Sequence, residues 1–235
     1  MAPTLSYAQG PTDVPLIEQT LGDFFDHMVA QQPDHEALVS RHEGQRFTYR
    51  ALQTEANRLA SALLSLGLVP GDRVGIWSHN NAPWVLLQIA TAKVGLILVN
   101  INPAYRTSEL EYALNKVGVK VLVTMAQFKT SDYLGMLREL GPQRLPLLQH
   151  TVWIDQPGEP GQDGMLRFSK LLASGKPDDP RIAQIGAMLK ATDPINVQFT
   201  SGTTGFPKGA TLTHRNILNN GFFVGECMAL SPADR

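Results

Sequence analysis

Between Gln198 and Gly209 the chain reads Gln-Phe-Thr-Ser-Gly-Thr-Thr-Gly-Phe-Pro-Lys-Gly. Hydroxyls at Thr200, Ser201, Thr203 and Thr204, glycines at Gly202 and Gly205, and the ammonium of Lys208 are residue types suited to holding phosphate oxygens. Glycine lets the backbone turn sharply and approach a ligand closely. Successive free N–H groups form a concavity that attracts an anion. A short apolar run from Ile195 to Phe199 feeds the loop and reads as a buried strand, and Phe206 and Pro207 close it ahead of the lysine. The candidate phosphate-binding residues are therefore Thr200, Ser201, Gly202, Thr203, Thr204, Gly205, Phe206, Pro207 and Lys208, read as a cradle for a nucleoside triphosphate.

Two other readings compete for this stretch. A flexible Gly/Ser/Thr linker has no need of the Pro207-Lys208 pair or of a buried strand leading into it. The nucleoside-triphosphatase loop, G-x-x-x-x-G-K-[ST], puts its lysine at Lys208 when counted from Gly202. Pro207 then stands where that pattern has glycine, and Gly209 where it has a magnesium-binding hydroxyl. Proline also lacks the N–H that such a loop aims at the phosphates.

The run from Thr200 to Gly209, followed by Leu212-Thr-His-Arg-Asn216, resembles the phosphate-binding motif of the adenylate-forming enzymes: acyl- and aryl-CoA synthetases, peptide-synthetase adenylation domains and luciferases. Three earlier stretches, Ser78-His-Asn-Asn-Ala-Pro-Trp84, Gln88 to Gly95, and Val99-Asn-Ile-Asn-Pro-Ala-Tyr-Arg106, are similar to fatty-acyl-CoA synthetases, the medium-chain branch in particular. The likeness runs over residues 16–230 and is weakest over 141–193. It implies a two-step ligase: a fatty acid carboxylate attacks the α-phosphorus of ATP, releasing pyrophosphate, and coenzyme A then displaces AMP to form the thioester. ATP, Mg2+ travelling with it, fatty acid and CoA are the implied ligands.

By the same resemblance the acyl pocket, the adenine- and ribose-holding segments, the magnesium-binding glutamate, the hinge and the C-terminal lysine are expected beyond Arg235. No catalytic residue is expected within the chain, and the chain alone is expected to make no acyl-CoA. A different class of reading keeps it as a non-catalytic nucleotide- or partner-binding piece, with a complementary chain or self-association through exposed apolar surface.

The elements that must position the loop follow from periodicity. Leu21, Phe24, Phe25, Met28 and Val29 share one helical face, started by Thr20 and stopped at Pro33. Two short strands, Ala37–Val39 and Arg46–Tyr49, flank a turn at residues 42–45. Leu52, Ala56, Leu59, Ala60 and Leu63 line a second helix that ends at Gly67. Arg73–Trp77, Leu96–Val99 and Val119–Thr124 read as buried strands, alternating with a helix capped by Asn81 and another begun at Thr107 or Ser108. Helix 132–140, strand 151–154, a Gly/Pro-rich loop 157–164 and a short helix 168–172 follow.

This order predicts an α/β fold: a mostly parallel sheet with helices on both faces. The resemblance implies that it is the first, incomplete part of a larger N-terminal domain. Its expected parts are an extended arm over 1–19, an α/β unit over 20–140, an irregular connection over 141–193, and the phosphate-loop strand with its following helix over 194–235.

Composition narrows the classes further. A formal net charge of −1 with dispersed Lys and Arg gives no basic field for nucleic acid. The lone cysteine, Cys227, permits no internal disulfide and falls in a helical apolar pattern that predicts core packing. The six histidines show no ligand spacing, so no protein-built metal site is expected. His214 reads as packing at a helix start. No stretch is long and apolar enough to span a bilayer, and no secretory signal opens the chain, which predicts a soluble cytoplasmic protein.

Overall fold

The computed structural model describes residues 12–156, 158–200, 206–231 and 234. Helix α1 (Leu21–Gln31) starts where Thr20 Oγ1 accepts the Asp23 N–H at 3.1 Å. Strands β1 (Glu36–Ser40) and β2 (Gln45–Thr48) form the antiparallel hairpin, and Gly44 takes the left-handed turn position at φ 66°. From its turn, Glu43 reaches across and accepts the Ala82 N–H at 2.7 Å. Helix α2 (Tyr49–Ser65) leads through a turn to β3 (Arg73–Trp77). Helix α3 (Ala82–Lys93) is capped by Asn81, which accepts the Trp84 N–H at 3.0 Å, with Pro83 in the first turn where no N–H is missed.

Strand β4 (Ile97–Ile101), helix α4 (Thr107–Val117) and strand β5 (Val119–Thr124) complete the expected alternation. Beyond it come a small hairpin, β6 (Gln127–Phe128) with β7 (Ser131–Asp132), and helix α5 (Tyr133–Arg144), broken where Gly141 swings to φ 62° ahead of Pro142. Strands β8 (His150–Trp153) and β9 (Leu166–Arg167), then helices α6 (Phe168–Ser174) and α7 (Pro180–Gly186), occupy the stretch expected to be irregular. Its loop is observed over 158–164, and Pro157 lies outside the described residues. The chain ends in β10 (Pro194–Thr200), β11 (Lys208–Thr213) and α8 (His214–Cys227).

The main sheet has seven strands in the order β11-β10-β4-β3-β5-β8-β9. All neighbours run parallel except β10 with β11. Both faces are covered, as the near-continuous apolar strands require. On one face Val74, Ile76, Leu98, Val121 and Val123 pack with Leu59, Leu63, Leu87 and Leu171 of α2, α3 and α6. On the other, Trp77, Val99, Ile101 and Leu122 pack with Leu110, Leu114 and Leu137 of α4 and α5. The alternation of Leu98 with Val99, and of Ile76 with Trp77, is the period-two signature of a strand buried on both sides. Trp77 stacks flat on Tyr133, centroids 3.6 Å apart.

The arm before α1 is tied down by a paired amide contact. Asn219 of α8 accepts the Ile17 N–H at 2.8 Å and donates to the Ile17 carbonyl at 3.0 Å. Residues 1–11, also assigned to the arm, lie outside the described residues.

One expectation fails here. Cys227 is exposed instead of packed in the core. The apolar period of α8 is real, but only its first turns, through His214, Leu218 and Asn219, meet other elements, and Phe222, Phe223 and Val224 remain in solvent. Among the described residues no helix is long and apolar enough to cross a membrane.

Candidate functional site

The candidate loop joins β10 to β11, and the antiparallel pairing of these strands defines its mouth. Thr200, the last residue of β10, stands opposite Lys208, the first of β11, and Phe199 stands opposite Gly209. Thr200 Oγ1 leans on the Lys208 carbonyl at 3.4 Å. Of the candidate residues, Thr200 and Lys208 are exposed at this mouth, Pro207 is half-buried, and Phe206 is exposed and meets Tyr112 of α4. Ser201, Gly202, Thr203, Thr204 and Gly205 lie outside the described residues.

Opposed residues of an antiparallel pair share a sheet face, and positions two apart along a strand do as well. Lys208, Thr200, Gln198 and Asn196 therefore lie on one face, the face that carries α2 and α3 lower down. Below the lysine this face is lined with amides. Asn196, fully buried, donates to Gln88 Oε1 of α3 at 3.1 Å. Its own Oδ1 accepts from Gln198 Nε2 at 2.9 Å and from Asn100 Nδ2 of β4 at 3.3 Å. Gln88 Nε2 and Asn100 Oδ1 are buried and have no partner among the described residues. A buried polar atom left unpaired costs about 1–3 kcal/mol, so this row is held at some expense to the fold.

The sequence reading missed this row. Its signal was present: Asn196-x-Gln198-x-Thr200 alternates polar side chains through a strand otherwise rich in apolar residues.

Among the described residues Lys208 makes no ion pair, whereas Lys93 and Lys120 are held by Asp26 and Asp72 at 2.5 and 2.7 Å. An uncommitted ammonium beside a hydroxyl, at the carboxyl end of a parallel strand, sits where open α/β sheets place ligands. It fits the phosphate chain of a nucleotide. The hairpin also decides against the nucleoside-triphosphatase loop, which runs strand–loop–helix and puts its lysine at the helix start. Here the lysine opens a strand, and the helix begins only at His214.

His214 faces away from the mouth. It is fully buried, and its Nδ1 accepts the Leu21 N–H at 2.9 Å, joining α8 to α1. That contact is the helix-start packing expected of it.

The family description "AMP-binding enzyme" matches residues 25–235 of the chain. The chain belongs to this family. Among curated relatives, the chain is 44% identical over 240 residues to the mitochondrial medium-chain acyl-CoA ligase ACSF2 of Macaca fascicularis. The match covers 96% of the chain and 38% of that ligase, so the chain spans about two fifths of its relative's length. Among solved structures it superposes on the anthranilate CoA ligase AuaEII in complex with anthranoyl-AMP at a TM-score of 0.74 and 28% identity, covering 87% of this chain and 36% of that one. It superposes on the N-terminal domain of FACL13 from Mycobacterium tuberculosis at a TM-score of 0.69 and 27% identity, covering 83% and 44%. The parallel-sheet architecture read from the sequence is thus the architecture of acyl-CoA ligase N-terminal domains.

Proposed function

We propose that this chain supplies the triphosphate-binding part of a fatty-acid–CoA ligase, which condenses fatty acid, ATP and CoA to acyl-CoA, AMP and pyrophosphate through an acyl-adenylate. The observation that carries the reading is the placement of Lys208. It is exposed, without an anionic partner among the described residues, and registered beside Thr200 at the carboxyl end of β10. Ser201, Gly202, Thr203, Thr204, Gly205, Phe206 and Pro207 are proposed as the remaining ATP-binding residues.

In this role Thr200 donates a hydroxyl hydrogen bond to the phosphate chain, and Lys208 neutralises charge that builds on the departing pyrophosphate. Magnesium would arrive on the phosphate oxygens of ATP, and none of these residues is assigned as its ligand. Because the chain spans about two fifths of its relative's length, it is expected to lack a complete active site of its own and to be inactive alone in thioester synthesis. The similarity to a mitochondrial ligase leaves both an organelle interior and the cytoplasm open as the compartment.

Electrostatics sets the size of the expected effect. An ammonium about 4 Å from a phosphate oxygen gains about 4 kcal/mol at an effective dielectric near 20, before desolvation. A charge-assisted hydrogen bond nets roughly 1.5–3 kcal/mol. Lys208→Ala should therefore weaken ATP, and inorganic tripolyphosphate with it, about ten- to a hundred-fold. Adenosine, which has no phosphate, should be unaffected. Calorimetric titration of the three ligands reads this directly, and an equal loss for all three would remove the assignment.

A further inference from the structure

Lys208 is flanked by two contacts to the same helix. Two residues before it, the Phe206 ring meets Tyr112 of α4, centroids 5.1 Å apart and planes inclined by 31°. One residue after it, Gly209 lies near the C-terminal end of the same helix. A Cβ at Gly209 would come within 3.1 Å of Val197 Cγ1, 3.6 Å of Phe199 Cε1 and 3.7 Å of Val117 Cγ1. Val197 and Phe199 belong to the face that carries α4 and α5. Lys208, opposite Thr200, projects from the other face. Helix α4 thus holds the segment from behind while the ammonium points away from it. Its own placement is firm: Gly118 ends it in the left-handed conformation at φ 64°, and Leu110, Ala113 and Leu114 bury its inner side.

We infer that Tyr112 is a positioning residue for Lys208: its ring clasps Phe206 and fixes where β11 begins, so that the ammonium meets its anion already in place. The inference rests on the proposed phosphate role of Lys208 and adds a residue, on a helix remote in sequence, that sets the affinity of that cation. The physical gain is preorganisation. A cation held before binding loses less conformational freedom when the ligand arrives. Phe206 remains 67% exposed, so the clasp contributes little to the core, and its loss should be read in binding before it is read in stability.

The test is a double-mutant cycle with ATP and tripolyphosphate titrated into the 235-residue chain. Tyr112→Ala and Phe206→Ala should each raise the dissociation constant about three- to ten-fold, the range of a single aromatic pair. The double variant should be no worse than the weaker-binding single, and Tyr112→Phe should bind as the parent does. Wild-type affinity in Tyr112→Ala, or additive losses in the double variant, would overturn the inference.

A second measurement needs no nucleotide. Trypsin cleavage after Lys208 should be faster in Tyr112→Ala while the melting temperature stays unchanged, and equal cleavage rates would also overturn the inference. Were the parent chain to bind neither ligand while the cleavage difference held, the nucleotide reading would fall and the clasp would stand.

Discussion

His214 shows how one buried ring couples fold to pH. Its Nδ1 accepts from Leu21, which places the ring proton on Nε2, where no partner is found among the described residues. Burial holds its pKa down to about 4, with Asp193 and Asp23 pulling weakly upward. In the unfolded chain the ring protonates near its ordinary value, about 6.5. Below that pH the unfolded state takes up a proton that the folded state refuses, so stability falls as pH drops. The contribution is complete above about 6.5 and is lost between there and about 4, up to roughly 3 kcal/mol in all. Urea midpoints measured from pH 7 to pH 5 should decline in the parent chain. His214→Asn keeps an acceptor near the Nδ1 position but cannot titrate. It should start lower, because ring volume is lost, and then stay flat over the same range. A variant that declines as steeply as the parent would assign the slope to other groups.

At the scale of elements, α6 turns closely under α2 at Gly175. Gly175 caps α6 at an ordinary φ of −81°, so backbone freedom is not what demands glycine there. Space is. A Cβ would lie 1.8 Å from the Arg58 carbonyl oxygen and 3.0 Å from the Ala62 nitrogen, both backbone atoms of α2. Gly175→Ala must push the two helices apart, and overpacking of this kind costs about 1–3 kcal/mol. The expected readout is a lower urea midpoint with an unchanged slope, and a midpoint equal to the parent's would show that α6 slides freely.

The same elements show what could be read before the fold was known. Strands β3, β4 and β5 were legible because they are short apolar runs between capped helices. Helix α7 was not, because in seven residues it buries only Ile182 and leans on Asp179, whose carboxylate caps it and takes the Ser61 hydroxyl of α2 at 2.7 Å. Arg181 chiefly, with Ser61, holds that carboxyl well below its usual range. Neither partner is visible in local periodicity. Strand β11 was missed for a related reason. Lys-Gly-Ala-Thr-Leu-Thr has little strand character of its own and becomes a strand by pairing with β10. The proposed phosphate loop was therefore legible only as a set of residue types, Thr200, Phe206, Pro207 and Lys208 among them. The hairpin that aims it, and the amide row of Gln88, Asn100 and Asn196 beneath it, needed tertiary contacts.

Across the whole molecule, two well-filled cores stand beside apolar surface that is left exposed among the described residues. Phe222 and Phe223 are 37% and 38% exposed, and Met228 and Leu230 are 64% and 54% exposed. Phe24, Met28, Trp84, Val85, Ile217 and Leu218 line an adjoining groove of about 510 Å3 between α1, α3 and α8. Scattered apolar side chains are ordinary on a protein surface, but an apolar groove lined in part by the same helix that exposes Phe222 and Phe223 is not. The early turns of α8 explain why the helix persists: Thr213 and Asn216 form a reciprocal cap, and His214 and Asn219 fasten it to α1 and the arm. Because those anchors lie in the first turns of α8, substitutions in its later, exposed turns should alter surface chemistry and leave the fold intact. A fluorescent hydrophobic dye should therefore brighten with the parent chain. Phe222→Ser with Phe223→Ser should dim it by about half or more at an unchanged melting temperature, and should reduce any concentration-dependent association in sedimentation. A parent chain that sediments as a single monomer and leaves the dye dark would show that this surface is closed over in solution.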